Sequence, residues 1–388
     1  MERIQMLRLA VFHLLLTAPV VLPEGLSQAA DVEKTWPGRL RGMCLSRVSE
    51  AAASEEVFRR LAGWHVNVVT VSLGTDESLG LKDAGDAPEL PSEMAEYRRA
   101  FHLLDKILAL ARKYGMHVVL TPGRVEGRNH LNVWEADTDA ENTVNFVENL
   151  SRFWTYTANR YKNEPAMLAY DLLSEPHAKS VVRIWRSELA PRLVREVRAV
   201  DTETWLLFEP GPWGMPGGFE TLEPLKDPRN GESRMAYGFH MYAPHNYTHQ
   251  GIGDRPKDQA YPGMLKMFPG SPLKQWDRNA LEEFMKPALD FRKKHGVRMY
   301  IGEFSVIRWA PGRARWVEDA ISIFEENGLD WAFHSYTGWN GWNPTFPPDA
   351  KGNNEPDGGY EGERLKVLKK YWRRNRDAPR SPMPVQPI

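Results

Sequence analysis

The chain has 388 residues, a length that suits one α/β barrel with long loops better than two ordinary domains. Fifty basic and fifty-one acidic residues give a formal net charge of -1, which excludes a general electrostatic attraction to nucleic acid or to anionic membranes. The single cysteine, Cys44, excludes an intrachain disulfide. We therefore expect a monomer that is stabilised by its core and recognises its partner through a specific site.

The N-terminal segment carries Arg3 and Arg8, then an apolar run from Leu9 to Leu22, then small residues at positions 27–30. This order is typical of a secretory signal peptide. A membrane anchor is disfavoured because it needs roughly 20 apolar residues, and this run is shorter and contains Pro19. We predict that residues 1–29 form a signal peptide and that the protein is secreted or periplasmic.

Eight short apolar runs alternate with longer amphipathic segments, which is the pattern of repeated βα units. Strands are predicted at Arg41–Leu45, Val66–Leu73, His117–Thr121, Met167–Leu173, Thr204–Phe208, Met235–Tyr242, Arg298–Gly302 and Asp330–Tyr336. Helices are predicted at Ser54–Ala62, Glu93–Tyr114, Ala140–Tyr161, Val181–Val200, Asn279–His295, Arg313–Asn327 and Glu361–Arg374. The fifth unit is the weakest, because Gly211–Asn230 is rich in glycine and proline.

Eight alternations favour a closed (β/α)8 TIM barrel over an open doubly wound sheet. No Gly-rich nucleotide-binding turn follows an early strand, which argues against a nucleotide-binding fold. We predict a single α/β barrel domain over residues 36–376 and a loose C-terminal tail over residues 377–388.

Two predicted strands run directly into glutamates. The fourth strand leads to Ser174-Glu175-Pro176 and the seventh leads to Gly302-Glu303-Phe304. In such barrels the chemistry lies where the strands end, at the C-terminal face. A carboxylate directly after a buried strand is costly unless it is paired or functional. Two such groups facing one cleft are what hydrolysis of a glycosidic bond with retention requires.

These segments carry a family resemblance. Leu172–Pro176 resembles the Leu-Asn-Glu-Pro acid/base signature of glycoside hydrolase family 5, the cellulase-like family, and Ile301–Phe304 resembles its nucleophile strand. Residues 240–251 are similar to the sixth-strand segment of that family. Trp331–Trp342 resembles the end of the eighth strand in one group of members, so the resemblance runs from about Gly42 to Trp342 in the right order.

The resemblance implies that Glu175 is the acid/base and Glu303 the nucleophile of a retaining O-glycosyl hydrolase. It also implies that His240 and Tyr242 hydrogen-bond the carboxylates and the sugar, with Tyr242 holding the nucleophile. The implied substrate is a β-linked polysaccharide or oligosaccharide. The implied reaction is a double displacement that needs neither a metal nor an organic cofactor.

Five further residues are candidate contacts for the sugar. Trp339 and Trp342 are candidate platforms, because the apolar faces of sugar rings pack on indole. Ser174 precedes the acid/base, Glu209 follows the fifth strand, and His334 lies in the eighth-strand segment. Long loops at residues 244–272 and 340–359 are expected to form the walls of the cleft.

Other readings of the same residue types are disfavoured. Asn163-Glu164-Pro165 spells the family signature, but it precedes the fourth strand, so we expect Glu164 on the opposite face of the barrel. His245, His249 and His334 lack the close spacing of a zinc site, so no metal is expected.

The chain departs from the family pattern at two positions. Ser174 stands where the family has an Asn that binds the sugar, and Thr70 stands where it has an Arg that supports the nucleophile. Loss of this cation is expected to raise the pKa of Glu303 and to loosen its geometry. Arg124 or Arg128 is a candidate replacement. The departures leave a second hypothesis open, a catalytically weak or inactive barrel that binds carbohydrate.

Overall fold

The computed structural model describes residues 34–81, 85–123, 140–177, 184–350 and 358–376. Eight parallel strands close into a barrel, in which the last strand pairs with the first. The barrel strands are β1 (Arg41–Arg47), β2 (Val68–Leu73), β3 (His117–Pro122), β4 (Met167–Asp171), β5 (Trp205–Phe208), β6 (Met235–Met241), β9 (Arg298–Phe304) and β10 (Asp330–Phe333). The predicted (β/α)8 architecture is confirmed. Strands β7 (Gly263–Lys266) and β8 (Leu273–Trp276) form an antiparallel hairpin outside the barrel.

Helices connect the strands on the outside of the barrel. They span Glu55–Gly63, Asp76–Leu79, Arg98–Tyr114, Ala140–Tyr161, Ala190–Arg198, His245–Thr248, Arg278–His295, Arg313–Glu326 and Glu363–Trp372. Shorter 3-10 turns cover Ser92–Tyr97, Pro216–Phe219 and Arg373–Arg376, and a π-helical turn covers Trp185–Leu189. The fifth connection is irregular as predicted, because only the turn at Pro216–Phe219 forms among its glycines and prolines.

Helix ends follow the sequence closely where a cap is present. The helix Arg278–His295 begins after Asp277, whose side chain accepts a hydrogen bond from the backbone of Ala280. It ends at Gly296, which adopts a left-handed conformation with φ of 65°. Both are common signals for a helix boundary, which explains why the predicted Asn279–His295 is correct to within one residue.

Two apolar clusters hold the barrel together. One fills the inside of the barrel and contains small and medium side chains such as Val68, Leu168, Leu207 and Ala332. The other packs the outer face of the sheet against the helices. Strand β4 is buried at every position because both of its faces are covered, which is normal for a parallel strand. The core thus supplies the stability expected of a chain without disulfides.

A β-bulge in β9 sets the position of Glu303. Phe239 of β6 pairs with Ile301, whereas His240 pairs with Glu303, so Gly302 is an extra residue. The pairing of β9 with β10 shifts at the same place. Such bulges re-aim a side chain near an active site. The thiol of Cys44 donates a hydrogen bond to the carbonyl oxygen of Gly302 at 3.1 Å, which gives the bulged peptide a partner.

The loop after β6 holds the short helix His245–Thr248 and the β7–β8 hairpin. The predicted signal peptide, the tail, Arg124 and Arg128 lie outside the described residues. In the part of the chain that the structure describes, no helix combines the length and the apolar character that crossing a membrane would need.

Candidate active site

Glu175 lies in the loop that follows β4. The strand ends at Asp171, two residues earlier than predicted, so Glu175 stands beyond the sheet and not at its last position. Its backbone adopts a left-handed conformation with φ of 52°, which is unusual for a residue with a side chain. Its carboxylate oxygen Oε1 accepts a hydrogen bond from Nδ1 of His240 at 2.7 Å. The carboxyl group therefore projects toward β6 and β9.

Glu303 lies within β9, because this strand extends two residues beyond its predicted end. The hydroxyl of Tyr242 donates a hydrogen bond to Glu303 Oε2 at 2.7 Å. Burial and the charge of Glu303 raise the pKa of Tyr242 well above its usual value, so its hydroxyl stays protonated and remains a donor. Glu303 is thus held from the strand next to its own.

The two carboxyl groups meet across one opening. The closest oxygens of Glu175 and Glu303, together with a ring nitrogen of His240, all lie within 4.8 Å of one another. The side chains of Glu175 and Glu303 are 31% and 30% exposed, so both are open to a ligand. The structure therefore brings together the two residues that the sequence singled out.

The pKa values of the two glutamates are shifted in opposite directions. Burial raises the pKa of Glu175, and the charges of Glu303 and Glu209 add to this against the hydrogen bond from His240. Burial also acts on Glu303, but His334, His240 and the hydroxyl of Tyr242 outweigh it, so its pKa is lowered. Two carboxyl groups with such opposed tendencies can divide the roles of acid and nucleophile.

The pKa of Glu303 is lowered although the family's arginine is missing. Thr70 does occupy the predicted place on β2, but its hydroxyl bonds to the hydroxyl of Tyr300 at 2.7 Å and not to Glu303. Glu303 instead has the imidazole of His334 beside it, with Nδ1 3.5 Å from Glu303 Oε2. His240 Nδ1 lies 3.9 Å from the same oxygen. Two imidazoles therefore stand where the sequence indicated a missing charge.

His240 is the centre of the polar cluster. Its side chain is 3% exposed, with Glu175 at one ring nitrogen and Glu209 at the other, the latter at 3.0 Å. Burial disfavours the charged ring, but Glu209, Glu303 and Glu175 more than offset this, so the pKa of His240 is raised well above its usual value.

Glu209 follows β5 as predicted, but its side chain is buried. Its side chain has no exposed surface, so the prediction that it contacts the sugar is wrong. Its Oε2 instead accepts a hydrogen bond from the backbone N–H of Glu175 at 2.9 Å. The residue comes directly after β5, at the correct end of the barrel, but its side chain turns inward.

The predicted aromatic platforms lie on the side of Glu303. The ring of Trp342 is centred 5.9 Å from that of Tyr242 and 6.3 Å from that of His334, and it is partly exposed. Trp339 packs edge-on against Trp342 at 5.6 Å, one ring further from Glu303. Ser174 is partly exposed next to Glu175. Of the two tryptophans, Trp342 is the one next to Tyr242 and His334, which surround Glu303.

Sequence reasoning missed two groups near the glutamates. Asp171, at the end of β4, is buried with no partner for its Oδ1, and burial followed by the charge of Glu209 raises its pKa well above the usual range. Trp213 is 47% exposed and stacks on His177, two residues after Glu175, with ring centroids 3.8 Å apart. The motif Glu-Pro-Gly-Pro-Trp-Gly after β5 was a signal for the latter.

The disfavoured candidates are also placed by the structure. Glu164 lies before β4 at the N-terminal end of the barrel, where it forms an ion pair with Arg112, as expected for a structural carboxylate. His245 and His249 stack face to face at 3.9 Å. Glu175, His240 and Glu303 have a composition that can hold a metal ion, but hydrogen bonds among these residues and Tyr242 account for their arrangement. That no metal takes part stays a prediction.

Comparison with known proteins gives consistent results. The sequence matches the family model of cellulase, glycosyl hydrolase family 5, over residues 29–343. Endoglucanase C of Acetivibrio thermocellus is 27% identical over 281 residues, which cover 65% of this chain and 78% of that protein. Cellodextrinase A of Ruminococcus flavefaciens is 24% identical over 231 residues, which cover 59% of this chain and 65% of that protein.

Solved structures share the fold. Thermotoga maritima Cel5A in complex with cellobiose superposes with a TM-score of 0.60 at 21% identity, over 85% of this chain and 97% of that one. A hyperthermophilic endo-beta-1,4-glucanase in complex with substrate superposes with a TM-score of 0.62 at 17% identity, over 85% and 96%. A closed barrel, paired carboxyl groups at the ends of its strands, and a family match over most of the length lead to one conclusion. The chain belongs to glycosyl hydrolase family 5, the cellulase family of glycoside hydrolases.

Proposed function

We propose that this chain is a retaining glycoside hydrolase that cleaves β-linked glucan by double displacement. The observation that carries the proposal is the pair Glu175 and Glu303, whose oxygens lie within 4.8 Å of each other in a partly exposed site. Retaining enzymes hold their carboxyl groups about 5–5.5 Å apart, whereas inverting enzymes leave about 6.5–9.5 Å for a water molecule. The short separation supports the retaining assignment.

In the first step, Glu303 attacks the anomeric carbon and forms a carbon–oxygen bond to it. The bond from that carbon to the leaving oxygen breaks, and this oxygen takes the proton of Glu175. The lowered pKa of Glu303 keeps the nucleophile ionised, and the raised pKa of Glu175 keeps the acid protonated. Tyr242 fixes one oxygen of Glu303, which leaves the other free to attack.

In the second step, Glu175 acts as a base. It removes a proton from a water molecule, whose oxygen attacks the anomeric carbon and releases Glu303 as a carboxylate. Glu175 is then protonated again, and the sugar has kept its β configuration after two inversions. The same residue can act in both directions because the negative charge of Glu303 disappears in the intermediate, which lowers the pKa of its neighbour.

The relatives support β-glucan as the substrate class. The proteins most similar in sequence include endoglucanases and a cellodextrinase. The partly exposed rings of Trp342 and Trp339 offer apolar faces on the nucleophile side. We propose that Trp213, on the side of Glu175, contacts the leaving sugar, because its exposed ring rests on His177 next to the acid/base.

The proposal is tested by incubating the purified protein with β-glucans, mannans, xylans and aryl β-glycosides and measuring reducing ends. We expect release from β-glucan and its oligosaccharides. Retardation of the protein on a β-glucan affinity gel without any release would support the alternative, a barrel that binds carbohydrate. That alternative is motivated by Ser174 and Thr70, which stand where the family has Asn and Arg.

A matched pair of variants makes the test specific. Glu303→Gln removes the nucleophile with little change in volume, and we expect its turnover to fall by on the order of 10^4-fold or more. Glu164→Gln makes the same chemical change at the opposite end of the barrel, and its turnover should equal that of the wild type. Unchanged hydrolysis by Glu303→Gln would reject the assignment.

We also propose that the protein is exported and that residues 1–29 are removed. The basic start, the apolar run and the small residues at positions 27–30 support this. Expression of the full chain in a secreting host, followed by mass spectrometry of the product, should give a mature N-terminus at about residue 30. A product that keeps its first residues in the cell would contradict the proposal.

A further inference from the structure

Glu209 connects two parts of the active site without facing the cleft. One oxygen, Oε2, accepts the backbone N–H of Glu175 at 2.9 Å. The other, Oε1, lies 3.0 Å from Nε2 of His240, whose opposite nitrogen binds the carboxyl group of Glu175. The three residues form a closed ring of contacts in which Glu209 holds both the main chain and, through His240, the side chain of Glu175.

Glycines make room for this buried carboxylate. A Cβ atom at Gly214 would lie 2.9 Å from Oε2 of Glu209, which is closer than real Cβ contacts. A Cβ at Gly302 would lie 3.2 Å from Nε2 of His240, and one at Gly238 would lie 3.4 Å from Cγ of Glu209. These glycines come from three different segments of the chain. Their convergence around one side chain indicates a shaped compartment.

The surroundings of His240 favour a protonated ring. Both ring nitrogens face carboxyl groups, Glu175 at 2.7 Å and Glu209 at 3.0 Å. A neutral imidazole has only one N–H and can donate to one of these groups, whereas the imidazolium form can donate to both. A fully buried anion at Glu209 supplies the compensating charge, since an isolated buried cation would be unstable.

The backbone of Glu175 needs an anchor. Its φ of 52° places a residue with a side chain in the left-handed region, a conformation that costs on the order of 1–3 kcal/mol and persists only where the surroundings enforce it. The N–H of this strained residue is the group that Glu209 binds. The contact is therefore suited to hold the acid/base loop in its position.

We propose that Glu209 is a positioning residue, which anchors the main chain of Glu175 and keeps a proton on His240 between the two catalytic carboxyl groups. The expected effects of this inference on the reaction rate rest on the proposed function. The titratable groups that face Glu209 and His240 are Glu175 after β4, Glu303 in β9 and Asp171 at the end of β4. His334 faces Glu303 from the other side.

Glu209→Gln tests the inference by removing the charge with little change in shape. His240 should lose its proton at neutral pH, so Glu303 loses a cationic neighbour. We expect kcat/KM to fall roughly 10–100-fold through kcat, with KM nearly unchanged. The acidic limb of the pH profile should move to higher pH, because the pKa of Glu303 rises. Glu164→Gln is the matched control and should leave the profile unchanged.

A direct measurement does not depend on turnover. Proteins labelled with ¹⁵N-histidine report the protonation of each imidazole by NMR, and a His240→Gln variant identifies the signals of His240. We expect the imidazolium form at pH 7 in the wild type and a titrating ring in Glu209→Gln. A neutral His240 in the wild type would overturn the proposal even if the enzyme is active, and a charged one would support it even if no substrate is found.

Glu209→Asp separates charge from anchoring and serves if the Gln variant does not fold. The shorter side chain keeps the charge but cannot reach both partners. We expect His240 to stay protonated and kcat/KM to lie between those of the wild type and Glu209→Gln. If Asp and Gln at this position give identical pH profiles, the charge of Glu209 has no role and the proposal fails.

Discussion

Carboxylates at the two ends of this barrel have different partners. At the N-terminal end, Asp227 pairs with Arg198 at 2.9 Å and Glu325 pairs with Arg41 at 2.7 Å. Arginine is always protonated, so such pairs keep their charge, and the pKa values of Asp227 and Glu325 are lowered because the arginines outweigh the effect of burial. These groups have one protonation state over the working range of pH.

At the C-terminal end, imidazole, phenol and backbone N–H groups replace arginine. Among the described residues, neither lysine nor arginine forms an ion pair with Glu175, Glu209 or Glu303. Their partners are His240, Tyr242 and the Glu175 main chain. Such a set can exchange protons, because histidine titrates near neutral pH. A carboxylate paired with arginine stabilises the fold, whereas a carboxylate paired with histidine or tyrosine can take part in proton transfer. The hydrogen-bond partner, more than the carboxylate itself, decides between the two roles.

After Glu303→Gln, the largest expected effect is also at the C-terminal end. Glu175→Gln removes the proton donor, and kcat/KM on β-glucan should fall about 10^2–10^4-fold with the melting temperature nearly unchanged. The loss should be smaller for aryl β-glycosides with good leaving groups, because these need less protonation. Steady-state kinetics on both substrate types measures it. Equal losses on the two substrates would contradict the role of acid.

At the N-terminal end, Asp227→Asn should affect stability and not activity. The side chains of Arg198 and Asp227 are 3% and 1% exposed, so removal of the anion leaves a buried cation and should cost about 3–5 kcal/mol of unfolding free energy. The kcat/KM of the folded protein should not change. Because the pKa of Asp227 is lowered, its stabilisation is present above the unfolded value and is lost as pH falls through the folded value.

Urea unfolding of Asp227→Asn and of the wild type at neutral and acidic pH measures how the stabilisation by Asp227 depends on pH. The difference between the two proteins should be full at neutral pH and should shrink below about pH 4, as the carboxyl group of the wild type becomes protonated. A constant difference over this range would show that the charge of Asp227 is not what stabilises the fold.

Tyr242→Phe tests how Glu303 is held in place. It removes the 2.7 Å hydrogen bond to Glu303, and a hydrogen bond to a charged group contributes about 1.5–3 kcal/mol. We expect kcat/KM to fall roughly 10–100-fold and the acidic limb of the pH profile to move upward. Tyr300→Phe is a suitable control, because the hydroxyl of Tyr300 bonds to Thr70 and not to Glu303. Equal effects of the two changes would contradict the assignment.

The smallest expected effect is that of His334→Gln. His334 is the largest influence that lowers the pKa of Glu303, so its loss should raise that pKa. The acidic limb of the pH profile of kcat/KM should therefore move to higher pH, while activity near neutral pH changes little. Thr70→Val should leave this limb in place, since Thr70 bonds to Tyr300. A shift of the acidic limb in Thr70→Val would instead show that Thr70 on β2 influences the pKa of Glu303.

The fold and the two facing glutamates could be predicted from the sequence because both are local patterns. Apolar runs mark the strands, and Glu175 and Glu303 follow two of them. The supporting residues depend on direction in space. Glu209 follows β5 in the same way as a cleft residue would, and only the glycines around it explain why it turns inward. The role of His334 toward Glu303 likewise depends on how the end of β10 approaches β9.

The extra residue in β9 was also beyond a sequence argument. Gly302 shifts the register with both neighbouring strands, and this shift brings Glu303 opposite His240. Periodicity predicts a strand but gives no sign of a bulge, because one inserted glycine leaves the apolar run intact. The predicted end of the strand at Gly302 was therefore two residues too early.

The measurement that tests the central claim most directly is the configuration of the first product. Proton NMR of a β-glucan oligosaccharide during its hydrolysis shows the anomer that the enzyme releases, before mutarotation mixes the two forms. If Glu175 and Glu303 act as acid and nucleophile from within 4.8 Å, the β anomer must appear first. Initial release of the α anomer would contradict the double displacement and the assignment of Glu303 as nucleophile.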